Sequence, residues 1–212
     1  MNYSDVYNNV KSIVLNRKGM HNIPEVISES IIRDLTGLFC HIGFKNSIST
    51  DETINFLERV NNHKIKSVIT DGSFQDVSQL IDDDITEHKL YNLTENALMF
   101  LRPGSLQIGP GEFFFCFYSK CSEFGYETTS GFDIAINNKT FEFKKLNSNF
   151  TSPRLFDKYT QDDRLDNLLV IHPVSSARKP LKRSKYSCIN LKQTPWRDVY
   201  FHRGTAGTLA LK

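Results

Sequence analysis

Residues 131–145, GFDIAINNKTFEFKK, contain two runs of β-forming residues separated by Asn137 and Asn138. Asparagine tolerates the positive φ angles that a two-residue hairpin turn requires, so the spacing predicts a β-hairpin with these residues at its turn. A turn of this length also fixes the strand register. The facing pairs are then Ile136 with Lys139, Ala135 with Thr140, Ile134 with Phe141, and Asp133 with Glu142.

The charged residues of this hairpin fall on one of its faces. Side chains alternate along a strand, so Asp133, Glu142 and Lys144 share a face. Two carboxylates that lie directly opposite each other destabilise a sheet unless a cation lies between them. The candidates for that cation are Lys144 and a divalent metal ion, which prefers hard oxygen ligands. The other face is expected to be buried in the core and holds Ile134, Ile136, Phe141 and Phe143.

Eight residues separate Asp133 from Glu142, and one residue separates Glu142 from Lys144. This spacing of acids and lysine resembles the motif of the PD-(D/E)xK nuclease superfamily. The resemblance implies that Asp133 and Glu142 bind Mg²⁺ or Mn²⁺, together with the backbone carbonyl of Phe143. It also implies that Lys144 helps to activate the attacking water. Phe132 stands where the superfamily name has Pro, a position that varies within the family.

The core of that family is a helix, a three-stranded antiparallel meander, another helix and another strand. Upstream, Glu112 follows a Gly-Pro-Gly turn and opens an apolar run, which predicts a helix with an acid in its first turn, although the run is also rich enough in Phe for a strand. Downstream, an amphipathic segment at 154–164 precedes the buried strand 168–171. The predicted fold class is therefore α+β, with Glu112 assigned to a second ion or to a metal-bound water.

A second resemblance covers roughly residues 105–172. The chain is similar to small phage-encoded proteins that have a G-x-G-E motif, a later Asp, and then E-x-K followed by Arg-Leu. The matching residues are Gly109, Gly111, Glu112, Asp133, Glu142, Lys144, Arg154 and Leu155.

Each candidate residue also has a simpler interpretation. The hairpin charges are equally those of a solvated strand face with a cross-strand ion pair. Glu112 is a possible helix cap, and Arg154 a possible surface cation beside Pro153. The six histidines are scattered without the spacing of metal ligands, so we assign them no role.

By pattern the chain divides into a mainly helical region 1–100, a nuclease-like α/β core 105–175 and a basic C-terminal segment 176–212. In the first region, apolar residues recur at helical spacing from Val6 to Val14, again after Pro24, and again after a possible capping box at Ser49. A fourth helix is predicted at about 94–101, after an acidic loop at 82–84 that is expected to be a solvated turn.

The net charge of +2 conceals an uneven distribution of charge. Residues 177–212 carry nine basic groups against the single acid Asp198, so a segment of +8 follows a body of −6. Such asymmetry is typical of a protein that binds nucleic acid, although a basic arm that docks on an acidic neighbouring subunit would look the same. The residues expected to hold the DNA backbone are Arg154, Arg178, Lys179, Lys182, Arg183 and Lys185.

Length and composition are those of an ordinary globular protein, with 212 residues of which 39% are hydrophobic. The four cysteines form no CxxC pair, and no apolar run is long enough for a signal region or a membrane span, which favours a cytoplasmic protein. Two functions are therefore considered. The first is a Mg²⁺- or Mn²⁺-dependent DNA nuclease, and the second is a non-enzymatic phage structural or assembly protein that contacts other subunits of a particle.

Overall fold

The computed structural model describes residues 1–20, 23–99, 101, 111–120, 122–125, 132–145, 163–172, 184–192, 199–201 and 209–211. Six α-helices, one short 3-10 helix at Val77–Leu80 and eight strands lie within this part of the chain, which confirms the α+β class. The helices are α1 Tyr3–Leu15, α2 Glu25–Lys45, α3 Thr50–Asn62, α4 Asp83–Thr86, α5 Lys89–Met99 and α6 Glu112–Phe117. The strands are β1 Gln75–Asp76, β2 Ser122–Phe124, β3 Ile134–Ile136, β4 Lys139–Lys145, β5 Asn167–His172, β6 Lys185–Asn190, β7 Val199–Phe201 and β8 Leu209–Leu211.

The first three helices form where the apolar spacing predicted them. Pro24 directly precedes α2, and Ser49 caps α3, its hydroxyl accepting a hydrogen bond of 3.1 Å from the backbone N–H of Glu52. The apolar stripes of these helices face the core, since the buried residues include Val6, Val10, Ile13, Val14, Ile31, Leu35, Leu57 and Val60.

The fourth predicted helix is displaced along the chain. It was expected at about 94–101, whereas α5 begins at Lys89 and ends at Met99. The imidazole of His88 accepts a hydrogen bond of 3.1 Å from the backbone N–H of Leu90 and so replaces the usual Ser, Thr or Asp cap. The acidic loop before it is partly helical, because α4 begins at Asp83.

Six strands form one sheet in the order β1-β6-β5-β4-β3-β2, in which only the β4–β5 pair is parallel. The predicted hairpin turn and three of its four predicted pairs are confirmed, whereas Asp133 lies outside β3 and its N–H donates to the Phe141 carbonyl, so it does not pair with Glu142. Asn137 and Asn138 have φ angles of 51° and 63°, and the paired residues are Ile136 with Lys139, Ala135 with Thr140, and Ile134 with Phe141.

One face of the sheet packs against the helices. The predicted apolar face of the hairpin is buried there together with Leu169 and Ile171 of β5. Helix α6 begins after Gly111, which has a φ of +91°, and all six of its residues are buried. The ring of Phe115 in this helix lies 5.0 Å from the ring of Phe143. The run is therefore helical, and the alternative of a Phe-rich strand is wrong.

A buried arginine joins the helical region to this core. Arg17, which is 2% exposed, follows α1 and donates hydrogen bonds to four backbone carbonyls. Two of them, at Val60 and Asn61, end α3 and lie 3.0 and 3.2 Å away. The other two, at Cys116 and Phe117, end α6 and lie 3.0 and 2.9 Å away. A single side chain thus satisfies the exposed carbonyls at two helix ends.

Strands of the main sheet come from all three regions defined by sequence pattern. β1 lies in the first region, β2 to β5 lie in the second, and β6 lies in the basic segment. The aromatic residues Tyr200 and Phe201 belong to β7, which pairs with β8 in a separate two-stranded sheet. The second predicted helix, at 154–164, falls outside the described residues except for a turn at 163–164. No helix in the described ranges is long and apolar enough to span a membrane.

Candidate active site

Asp133, Glu142 and Lys144 meet on the face of the hairpin that points away from the helices. The Lys144 ammonium donates hydrogen bonds to the Glu142 carboxylate and, at 3.1 Å, to the backbone carbonyl of Phe143. Its Nζ also lies 4.0 Å from Oδ2 of Asp133. The three side chains are 26% (Asp133), 14% (Glu142) and 29% (Lys144) exposed, so the group is partly withdrawn from solvent.

The position of Asp133 is fixed by backbone hydrogen bonds on both sides. Its N–H donates to the carbonyl of Phe141 at 3.0 Å, and its carbonyl accepts from the N–H of Gly125 at 2.9 Å. Its carboxylate accepts a further hydrogen bond of 2.7 Å from the N–H of Phe143. The carboxylate is therefore held against β4 at the level of Glu142 and Lys144.

The pKa of Asp133 is raised from 3.8 to about 6, first by burial of the carboxyl group and second by the negative charge of Glu142. The Lys144 ammonium and the hydrogen bond from the Phe143 N–H act in the opposite direction but do not cancel the rise in this pKa. Ionised Asp133 is consequently unfavourable beside Glu142. An additional positive charge at this point would stabilise the pair.

The oxygen atoms present suit a small divalent cation. Two carboxylates and the Phe143 carbonyl offer hard oxygen ligands, and Mg²⁺ is commonly bound by one or two carboxylates while it keeps several waters. Lys144 already contacts Glu142 and the Phe143 carbonyl and lies close to Asp133, which shows that this group of oxygens accommodates a cation.

Glu112 occupies a different position from the hairpin acids. It is the first residue of α6 and is buried, with 6% exposure. A Cβ added to the preceding Gly111 would lie 2.9 Å from a side-chain carbon of Ile171 and 3.4 Å from the Phe143 ring, so the start of α6 packs on the helix-facing side of the sheet. Among the described residues, no three His, Cys, Asp or Glu side chains are arranged to hold a metal ion. The participation of Glu112 in metal binding stays a prediction.

Of the six basic residues expected to hold DNA, Lys185 is the one within the described ranges. It is the first residue of β6, its side chain is 48% exposed, and its Nζ lies 3.7 Å from Oδ1 of Asp76. Arg154, Arg178, Lys179, Lys182 and Arg183 fall outside the described residues.

Two polar arrangements near the sheet have no obvious counterpart in the sequence. The Asp166 carboxylate accepts a 3.0 Å hydrogen bond from the Thr140 N–H and lies 3.0 Å from Nζ of Lys192, which ties the starts of β4 and β5 together. The buried His63 ring contacts the Tyr118 carbonyl at 2.5 Å and accepts from the Asp82 N–H at 3.2 Å. The partners in each arrangement are far apart in the chain, so no local sequence pattern predicts these contacts.

A polar cleft of about 630 Å³ lies beside His63, between α3 and α4. Arg59 donates a hydrogen bond of 3.3 Å across it to the Asp84 carbonyl. This cleft is lined mainly by Asn55, Glu58, Arg59, Asn62, Asp82 and Asp84.

No protein-family model, curated protein or solved structure matches this chain.

Proposed function

We propose that this protein is a Mg²⁺- or Mn²⁺-dependent phosphodiesterase that acts on DNA. The observation that carries the proposal is the convergence of Asp133, Glu142 and Lys144 on one partly buried face of the hairpin. A carboxylate whose pKa is raised by burial and by a second carboxylate, with a lysine at the same point, is a typical arrangement for metal-assisted hydrolysis.

In this proposal, Asp133, Glu142 and the Phe143 carbonyl would hold the ion, which would supply Lewis acidity at the scissile phosphate and favour deprotonation of the attacking water. The Phe143 N–H keeps the Asp133 carboxylate directed at the site. Lys144 brings a positive charge that stabilises the negative charge developing on the phosphate in the transition state.

The order of elements supports the same proposal. α6, β2, β3 and β4 follow one another as a helix and an antiparallel meander, and β5 then lies parallel to β4. This order supports a PD-(D/E)xK-like core, whose second helix would fall outside the described residues. A parallel pair requires a long crossover connection, and the segment between β4 and β5 is long enough for one.

We assign substrate binding to the basic residues. Arg154 and the cations between Arg178 and Lys185 would contact phosphates, which position the duplex without selecting its sequence. The excess of positive charge in residues 177–212 supports this assignment.

A second candidate is a non-enzymatic structural or assembly protein of a phage particle with the same fold. It is favoured by the fact that Lys144 already compensates the two carboxylates, as it would in a structural ion pair. The basic segment would then bind an acidic neighbouring subunit.

Incubation of the purified protein with supercoiled plasmid DNA and Mg²⁺ or Mn²⁺ separates these candidates. We expect cleavage that EDTA stops and that Asp133→Asn, Glu142→Gln and Lys144→Met each abolish. Asp166→Asn is the matched control, since this carboxylate directly precedes β5 and bonds to Thr140 outside the site, and the variant should still cleave. Absence of cleavage from wild type, together with co-purification with a defined particle, would establish the second candidate.

A further inference from the structure

Lys144 contacts the same oxygen atoms that are proposed to bind the metal ion. Its ammonium donates one hydrogen bond to the Glu142 carboxylate and another, of 3.1 Å, to the Phe143 carbonyl. The same ammonium lies 4.0 Å from the Asp133 carboxylate. All three groups assigned to the ion are therefore within reach of one lysine side chain.

The ammonium group and a metal ion compete for these oxygens for two reasons. A lone pair that accepts a hydrogen bond from an N–H is not available to a metal ion at the same time. Two cations that share partly buried ligands also repel each other, and the three charged side chains here are only 14% to 29% exposed. The hydrogen bonds of Lys144 thus oppose the binding of a divalent ion.

Lys144 is the member of this group that is best able to move. The Asp133 carboxylate is held by the 2.7 Å hydrogen bond from the Phe143 N–H, and Glu142 is the least exposed of the three charged side chains. Lys144 is the most exposed of them, and its ammonium is carried on a flexible four-carbon chain. The ammonium can therefore leave the two oxygens while both carboxylates stay in place.

We propose that Lys144 exchanges with the metal ion at this site, so that the ion binds only when the Lys144 ammonium leaves Glu142 and the Phe143 carbonyl. This inference rests on the metal site of the proposed function and adds a second role for Lys144. The lysine sets the metal affinity, because a ligand binds more weakly when the arrangement that can bind it is only a fraction of the population. The released ammonium is then free to contact a phosphate group of the substrate.

Mn²⁺ titration of the folded protein at pH 8, followed by the electron paramagnetic resonance signal of the free ion, tests the competition. Lys144→Met removes the competing ammonium, so we expect its dissociation constant for Mn²⁺ to be about tenfold lower than that of wild type. Lys192→Met is the matched control, because the Lys192 ammonium lies 3.0 Å from Asp166, outside the site, and this variant should bind Mn²⁺ as wild type does. Circular dichroism confirms that both variants are folded.

Chemical labelling tests the movement of Lys144 itself. An amine-acetylating reagent modifies exposed lysines, and mass spectrometry of the peptides gives the rate at each position. Mg²⁺ should raise the rate at Lys144 several-fold, because the released ammonium is more accessible, and should leave the rate at Lys192 unchanged. In Asp133→Asn, which lacks one of the proposed ligands, Mg²⁺ should not change the rate at Lys144.

The possible results distinguish a failure of the exchange from a failure of the metal site. If Mn²⁺ binds Lys144→Met as well as wild type or more weakly, the metal site is retained and the exchange is wrong. In a wild type that binds the ion, an acetylation rate at Lys144 that Mg²⁺ lowers or leaves unchanged would also overturn the exchange. Absence of Mn²⁺ binding to both proteins would overturn the metal site and the exchange together.

Discussion

The Asp133 carboxylate accepts a 2.7 Å hydrogen bond from the backbone N–H of Phe143, on the strand across the turn. The residue that supplies this donor stands between Glu142 and Lys144, so one backbone contact sets the geometry of the whole acidic pair. The contact also lowers the free-energy cost of ionising Asp133, although the pKa of this residue stays above its usual value. Stability and metal binding at this site should therefore change together.

The first prediction concerns pH. Because the pKa of Asp133 is raised from 3.8 to about 6 in the folded protein, the folded state holds the proton more tightly than the unfolded chain does. Stability without metal should therefore fall as the pH rises from about 4 to about 6, by on the order of 1 to 2 kcal/mol. Asp133→Asn should remove this slope and equal or exceed wild-type stability at pH 7, as measured by urea unfolding in EDTA.

Asp166→Asn is the control, because the pKa of Asp166 is shifted in the opposite direction to that of Asp133. Burial acts to raise the pKa of Asp166, but hydrogen bonds from Thr140 and Lys192 outweigh burial and hold this pKa below its usual value. A lowered pKa adds stability above the unfolded-state pKa, and that stability is lost as the pH falls. Asp166→Asn should thus destabilise the protein at pH 7. Equal behaviour of the two variants would show that the raised pKa of Asp133 has no part in stability.

The second prediction concerns Lys144. Lys144→Met keeps much of the side-chain volume but removes the charge that opposes the repulsion between Asp133 and Glu142. We expect the free energy of unfolding in EDTA to fall by about 1 kcal/mol at pH 8 and by less at pH 5, where Asp133 is largely protonated. Urea titrations at both pH values measure the difference. A loss that is the same at both would indicate that only packing was changed.

The third prediction concerns metal binding to the folded protein. Mn²⁺ at about ten times its dissociation constant should stabilise wild type by about 1.4 kcal/mol, because the ion binds the native state alone. Asp133→Asn and Glu142→Gln should abolish this rise in the unfolding temperature, whereas Lys144→Met should retain it. A wild-type midpoint unchanged by millimolar Mn²⁺, measured by scanning calorimetry, would favour a structural ion pair.

The fourth prediction concerns the hairpin turn. Asn138 has a φ of 63°, a conformation that asparagine and glycine adopt at lower cost than other residues. Asn138→Gly should leave stability unchanged or raise it, while Asn138→Ala should lower it by about 1 kcal/mol. Thermal unfolding measures both. If alanine were tolerated as well as glycine, the positive φ angle would not be what holds the register.

The fifth prediction concerns Arg17. Arg17→Leu leaves four backbone carbonyls without this donor and should lower the free energy of unfolding by about 3 kcal/mol. Arg59→Ala, which removes an exposed arginine bonded to one carbonyl, should change it by less than about 0.5 kcal/mol. Comparable losses in the two variants would contradict a special role for the buried guanidinium group.

Local features of the sequence were sufficient to predict the hairpin turn and the helices whose ends carry clear sequence signals. Asn137 and Asn138 set the turn, the alternation on either side set the faces, and Gly111 with Glu112 marked the start of α6. Each of these signals acts over a few residues. The start of α5 was missed because its cap is the ring of His88, which the usual sequence signals for a helix start do not include.

Contacts between segments that are distant in the chain could not be predicted from local sequence patterns. Parallel pairing of β4 with β5 and the position of β1 beside β6 depend on contacts between distant segments, and no local periodicity encodes them. The same is true of Arg17, whose acceptors lie more than forty residues away in sequence. An arginine that is buried by such contacts has the same local sequence context as an exposed one.

The order of strands in the sheet also determines when each strand can pair during translation of the nascent chain. β5 is paired on both sides only after β6 has formed, and within the described part of the chain β1 pairs with β6 alone. During translation, residues 75–76 therefore leave the ribosome long before residues 185–190 exist to pair with them. A nascent chain that stops short of β6 would leave the backbone groups along one edge of the apolar strand β5 unpaired, which favours aggregation.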